Sequence, residues 1–249
     1  MAIGLKTDGI IIREQTVGES DRLVSVLTRN NGVIRAFARH AKNPKDNKAS
    51  STALLSYSDF MLRQGKNYYY VDTAKPKEVF FGLRENLESL SLAQYFCELA
   101  GEFVPEHTES SEFLRLMLNS LYFLSKQSKP AKQIKAITEL RMLSLAGYMP
   151  NLIGCRSCHE YEKDLMYFLP LDASLVCSDC FTGESPSIAL NKTELHVLRH
   201  ICFSDFEKIY SFSVPEEVMN KVAETCEFYA VNTLGRRMKT LDFYKSMLF

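Results

Sequence analysis

No stretch of this chain reaches the roughly 18 consecutive apolar residues that a membrane span requires. The opening MAIGLKTDGIIIREQ is itself interrupted by Asp8 and Arg13. The expectation is a soluble, cytoplasmic protein with no membrane partner. Net charge is lacking too: 30 Lys and Arg balance 30 Asp and Glu, so the total neither advertises nor excludes a nucleic-acid partner. A phosphate-binding glycine loop is missing. Around QGKN at 64–67 the upstream glycine position holds Phe60, and Asn67 follows Lys66. There is no Gly-x-Ser-x-Gly elbow and no readable grouping of Ser, His and acidic residues. The chain is therefore expected not to be an enzyme.

What is present divides the 249 residues into regions of different character. Up to about residue 80, TDGIIIREQ, RLVSVLTRN, GVIRAFARH, SYSDFMLRQG and NYYYVDTAK read as strands, separated by Gly, Asn, Asp and Pro signals, as in a small barrel or sandwich. From about 81, LESLSLAQYFCELAGEFV, SSEFLRLMLNSLYFLSK and KQIKAITELRMLSLAGYM carry apolar residues at helical spacing, with Gly147 and Pro150 as a stop signal. Helix returns after about 186, where Asn191 with Glu194 and Ser213 with Glu216 have the spacing of reciprocal N-terminal caps.

The neutral total hides an uneven distribution. Residues 1–80 hold thirteen Lys and Arg against eight Asp and Glu, whereas residues 151–186 hold two against six. The excess positive charge belongs to the β region. There Arg13, Arg22, Arg29, Arg35, Arg39 and Arg63, with Lys42, Lys45, Lys48 and Lys66 in loops, could line a groove for a phosphate backbone. Tyr68, Tyr69 and Tyr70, with Tyr57 and Phe37, could stack on unpaired bases. Alternating strands also put ordinary cations in solvent, and place Phe37 or one of the tyrosines in the core. Lys126, Lys129, Lys132 and Lys135 pose the same choice, between a dock for an acidic tail and a solvated helix start.

Seven cysteines occur, and four of them form two close pairs: Cys155 with Cys158, then eighteen residues, then Cys177 with Cys180. Each two-residue gap lets both thiolates reach one ion from a tight turn, so the quartet reads as a closed structural Zn2+ site. Four thiolates leave no vacancy for water or substrate. The deaminase pattern fails because Val176, not proline, precedes Cys177, and the peptidase pattern fails because Lys163 stands where a second histidine would follow His159 and Glu160. With the acidic residues around it, such a site would repel phosphate. Cys97, Cys202 and Cys226 read as buried small hydrophobes. His159 reads as an exposed turn residue, and His196 and His200, one helical turn apart, as a helix face.

Five stretches, in order, carry a resemblance that covers nearly the whole chain: GESDRLVSVLTRNNGVIRAFAR at 18–39, SYSDFML at 56–62, ELRMLSLAGYMPNLIGCRSC at 139–158, CSDC at 177–180 and YAVNTLGRRMKTLDF at 229–243. Together they resemble the RecO family of bacterial DNA repair proteins. One departure is ARHAKNPKDNK, where the family usually has a Gly-containing basic turn. The resemblance implies an N-terminal OB-fold barrel over 1–80 and a helical domain over 81–249, with a zinc-binding insertion at 151–186. It implies binding of single- and double-stranded DNA and annealing of complementary strands. It also implies action with RecR to help RecA replace single-strand-binding protein, without a nucleoside triphosphate. DNA contacts are then expected at Arg13, Arg22, Arg35, Arg39, Lys42, Lys45, Lys48, Arg63, Lys66 and Tyr69, and secondary DNA or partner contacts at Arg236, Arg237 and Lys239. A zinc-containing adaptor that binds only proteins is the competing expectation.

Overall fold

Strand alternation in the first eighty residues builds a closed barrel, seen in a computed structural model that describes residues 4–43, 46 and 48–248. The strands are β1 (Gly4–Val17), β2 (Asp21–Thr28), β3 (Val33–Ala38), β4 (Ser56–Gln64) and β5 (Tyr69–Val79), with a single helical turn, α1 (Lys48–Ser51), between β3 and β4. Their order round the barrel is β1-β2-β3-β5-β4, antiparallel at each seam except β3 against β5. This is the five-stranded layout expected of an OB-fold. Val24, Val26, Ile34, Ala36, Phe60, Leu62 and Val71 fill the interior. Ile11 faces the interior, whereas Ile10 and Ile12 are buried outside it, Ile12 beside Gly101; a register shift between Ile11 and Arg13 sets Arg13 opposite Ser25, in solvent.

Chain compactness divides the molecule at a different place from the composition: one unit is Met1–Lys126 with Thr240–Phe249, the other Gln127–Lys239. In the first unit, α2 (Leu87–Phe103) and α3 (Ser111–Ser125) join the barrel. Ser110, just before α3, accepts a hydrogen bond from the Gly32 amide (3.0 Å) and donates one to the Thr28 carbonyl (2.7 Å). Gly32 has φ +62°, and a Cβ there would lie 1.8 Å from the Pro105 carbonyl oxygen, so only glycine lets this turn and the α2–α3 loop meet.

The second unit contains α4 (Ala131–Leu145), β6 (Asn151–Cys155), β7 (Leu165–Leu169), β8 (Ser174–Cys177), β9 (Ile188–Asn191), α5 (Lys192–Phe203) and α6 (Glu216–Leu234), and α7 (Lys239–Ser246) follows. The four strands form a sheet in the order β6-β8-β7-β9. Composition marks this segment only as a metal-binding insertion, because strands of four or five residues carry too few alternations to show a period. At the end of α4, the Gly147 amide donates to the Ser144 carbonyl and the Tyr148 amide to the Leu143 carbonyl, the paired bonds of a glycine-terminated helix. Asn191 and Glu194 form the reciprocal cap expected of them. Ser213 and Glu216 do not, since α6 starts at Glu216 with Pro215 as its cap residue and no side-chain cap.

Charge is also buried in the second unit. Lys135 on α4 is almost wholly enclosed and meets Glu139 at 2.8 Å and Glu227 of α6 at 2.9 Å, so it cannot join Lys132 in a surface dock. Despite desolvation, the two carboxylates hold its pKa above the ordinary lysine value. Cys97, Cys202 and Cys226 are buried as expected, and burial pushes the thiols of Cys97 and Cys202 up to about 12 and about 11. Among the described residues, no helix is long and apolar enough to cross a membrane. Replacing Lys135 with Ala takes this cation from the buried Glu139 carboxylate and from half-buried Glu227, and is expected to lower stability by about 3 kcal/mol in chemical denaturation. Joint replacement of Lys135 by Met and Glu139 by Leu should recover most of that loss.

Asp8 on β1 links the stability of the barrel to pH. It accepts two hydrogen bonds from Arg29, at 2.9 and 2.7 Å, and a third from the Tyr57 hydroxyl, while Lys77 lies 3.7 Å away. The Arg29 bonds, helped by Tyr57 and Lys77 against the cost of burial, hold its carboxyl at about 2, below the usual 3.8. A depressed carboxylate stabilises the fold above its unfolded pKa and loses that contribution as pH falls through the folded one. Asp8→Asn is therefore expected to reduce stability at pH 7 and to flatten its decline between pH 4 and pH 2, as read from urea midpoints across that range.

Candidate nucleic-acid interface and metal centre

The register of the barrel gathers outward side chains into two rows. Arg13 on β1 pairs with Ser25 on β2, which pairs with Arg35 on β3. One repeat further along β3, Leu23 pairs with Phe37, Phe37 with Tyr70 on β5, and Tyr70 with Arg63 on β4. The Phe37 and Tyr70 rings stack with centroids 6.0 Å apart and planes 25° apart, and Tyr68 meets Phe37 edge-on at 5.1 Å. The guanidinium groups of Arg39 and Arg63 lie 5.5 and 5.3 Å from the Tyr70 centroid.

Tyr69 shares the parity of Val71 and packs, partly buried, against the barrel core on the opposite side. Tyr70, Tyr68 and Phe37 occupy the outer face. Period-two counting back from Val71 was the signal that distinguishes them.

Ion pairing sorts the cations further. Arg29 and Lys77 are committed to Asp8, and Lys77 also to Asp59 at 3.3 Å. Arg22 donates to the Ala49 carbonyl at 2.7 Å and lies 3.9 Å from Glu14, which makes it a tether for α1; Lys48 lies 3.9 Å from Asp46. Arg63 pairs with Asp72 at 3.3 Å. By contrast, Arg13, Arg35, Lys42 and Lys66 are exposed and form no ion pair among the described residues, while Arg39 is exposed beside Tyr70. Lys45 lies outside the described residues. The barrel cations whose charge is not neutralised by a neighbour thus include four on or beside β1 and β3, the side that carries the aromatic row.

In the second unit the cysteine pairs sit at the ends of two neighbouring parallel strands. Cys155 closes β6 and lies opposite Leu175 on β8, which Cys177 closes; Cys158 and Cys180 follow in the next turns. Cys180 and Phe181 amides donate back to the Cys177 carbonyl at 3.1 and 3.0 Å, and the His159 amide to that of Cys155 at 2.9 Å, which folds each pair into a tight turn. All four sulfur atoms lie within 4.8 Å of one another, and Cys158 Sγ is 3.6 Å from Cys177 Sγ. Burial raises the Cys155 thiol, but the backbone amides of Cys158, Cys177 and Ser157 outweigh it and draw the pKa down to about 6. Cys180 is pushed up to about 12, chiefly by its hydrogen bonds to Cys177 and Cys158. Converging sulfurs that oppose one another's ionisation suit a cation at their centre, and these four could hold one metal ion.

The surroundings of the quartet are structural. Arg156 binds Asp172 at 2.6 Å and Glu184 at 3.0 Å, and Lys163 binds Asp179 at 2.8 Å, so both cations of this acidic segment are neutralised. His159 is exposed, at φ +63°, and is not one of the four. His196 contacts Glu162 at 2.5 Å, and His200 contacts Ser204 and the Lys208 carbonyl, each at 3.0 Å, so the two do not converge on an ion. Buried Arg199 of α5 donates to the carbonyls of Leu152 (2.8 Å), Ile153 (3.0 Å) and Tyr161 (2.6 Å), fixing the helix to β6 and the loop beyond it. The sequence did not single out Arg199, because a buried arginine on a helix has no distinctive spacing.

The stretch at 229–243 spans the end of α6 and the start of α7. Gly235, at φ +68°, ends α6 and returns its amide to the Val231 carbonyl at 3.0 Å. Arg236 and Arg237 are exposed in the break that follows, and Lys239 opens α7.

Comparison with known proteins agrees with this architecture along its length. Family models described as Recombination protein O N terminal and Recombination protein O C terminal match residues 1–80 and 84–242. The DNA repair protein RecO of Acetivibrio thermocellus is 34% identical over 243 residues, covering 98% of this chain and 97% of that protein. DNA repair protein RecO of Dehalococcoides mccartyi is 30% identical, covering 87% of this chain and 85% of its own. That of Alkaliphilus metalliredigens is 29% identical, covering 88% and 90%. With both terminal halves matched and a relative of this identity aligned along almost the whole chain, the protein belongs to the RecO family of DNA repair proteins.

Proposed function

We propose that this chain is a non-enzymatic mediator of DNA repair and homologous recombination in the cytoplasm, associated with the nucleoid. In this reading it binds single- and double-stranded DNA, anneals complementary strands and, with RecR, helps load RecA onto DNA coated by single-strand-binding protein. The observation that carries the reading is the sorting of charge on the barrel. Arg13, Arg35, Arg39 and Lys42 are exposed on or beside β1 and β3 without an ion-pair partner among the described residues, whereas Arg29 and Lys77 are neutralised by carboxylates. Cations of the first kind release condensed counterions when they meet phosphates, and two strands held this way are raised in local concentration for pairing.

We assign the four-cysteine centre to structural Zn2+. Bonds of about 2.3 Å to four sulfurs place neighbouring sulfurs about 3.8 Å apart, a separation within the spread of the observed cluster. The ion would bind Cys155, Cys158, Cys177 and Cys180 and fasten β6 to β8, with no coordination position left for chemistry.

Charge reversal at Arg35, Arg39 and Lys42 tests the DNA reading by fluorescence anisotropy over a salt series. Affinity for labelled single strands should fall, and the slope of log affinity against log salt should flatten by about 2. An unchanged affinity and slope would overturn the role given to these three cations, and no binding by the unaltered protein would favour an adaptor that binds only proteins. Incubation with ATP or DNA and divalent metal should show no turnover.

Cys177→Ser addresses the metal. Zinc content and melting temperature should both drop, while DNA affinity per folded molecule stays close to that of the unaltered protein. A stable, folded Cys177→Ser protein that had lost DNA binding would contradict a purely structural role.

A further inference from the structure

We infer that Phe37 and Tyr70, with Tyr68 and the guanidinium groups of Arg39 and Arg63, form a base-stacking subsite that makes the barrel discriminate in favour of unpaired strands. The adjoining Arg13–Ser25–Arg35 row then grips phosphates of single strands and duplexes alike. The inference rests on the DNA-binding reading above and divides its surface into two parts with different ligands.

Three observations converge on the subsite. The rings lie on the solvent side of the barrel, where Phe37 and Tyr70 are half-buried and stack on each other across the β3–β5 seam. Two guanidinium groups approach the Tyr70 ring from neighbouring strands, joining flat cations to flat rings. The β4–β5 turn is also shaped around them. A Cβ on Gly65 would come within 2.6 Å of both the Tyr70 ring and the Tyr68 carbonyl oxygen, so a side chain at position 65 would displace the platform.

Chemistry then separates the ligands. An unpaired base offers a free π-face to a ring or a guanidinium plane. In a duplex those faces are already stacked on neighbouring base pairs, and only the backbone is available. Arg13, Ser25 and Arg35 present hydrogen-bond donors and no ring, which suits phosphates of either form. Phe37 follows Arg35 by two residues along β3, about 7 Å away, so both subsites fall within reach of one extended strand.

The chain has no tryptophan, so Tyr70→Trp installs a single reporter at the platform. Its emission is to be followed while a single-stranded oligonucleotide, an abasic strand of equal length and a blunt duplex are titrated in turn. Strong quenching by the single strand, with little from the abasic strand or the duplex, is the expected result. In parallel, Phe37→Leu with Tyr70→Leu should weaken single-strand binding about tenfold, with a several-fold smaller loss for the duplex. Thermal melts of each variant show whether the barrel is folded, and the Tyr70→Trp titration decides the matter if the double variant is not. Equal losses for all three ligands, or no differential quenching while the unaltered protein binds DNA, would overturn the subsite and leave the DNA-binding reading standing. If the unaltered protein binds none of the three, that reading falls and the subsite falls with it.

Discussion

A closed barrel has one interior, and each residue on its strands faces either that interior or the outside. Most of what is distinctive in the first unit follows from this constraint. Ile34, Ala36 and Ala38 point inward, so Arg35, Phe37 and Arg39 share the other side. The shift between Ile11 and Arg13 delivers Arg13 to the same outer row as Arg35. Without that shift the first strand would present its side chains on the opposite faces.

Charge is organised by neighbours rather than by totals. A chain with zero formal charge carries an acidic four-cysteine segment in one unit and a positive barrel in the other, and on the barrel itself carboxylates neutralise some cations and leave others exposed. The interior of the second unit obeys the same logic, since Lys135 is tolerated there because two carboxylates surround it. The two electrostatic arrangements serve different ends: one fixes α4 against α6, and the other leaves a surface able to attract polyanions.

Much of this was legible in the chain. Five strand-like runs correspond to the five barrel strands, since turn residues and β-branched runs are local signals. The helices were legible in their apolar spacing, and the cysteine quartet in its two-residue gaps. Less visible was whatever depends on partners distant in the sequence. The stacking of Phe37 on Tyr70 needs β3 beside β5, and the commitment of Arg22 and Lys135 needs Ala49, Glu139 and Glu227 in place. Ser213 and Glu216 illustrate the reverse case: spacing suitable for a cap, overridden by Pro215, whose fixed backbone begins the helix later.

The seam between β3 and β5 is the shortest of the barrel, with register pairs only at Ala36–Tyr69 and Phe37–Tyr70. Across that narrow join, the inner member of the tyrosine pair packs on the core and the outer one stacks on Phe37, so the strands are pinned from both sides. The outer pin is at once a fastening and an exposed surface. Closure at this seam therefore rests on side-chain contacts as well as on backbone pairing.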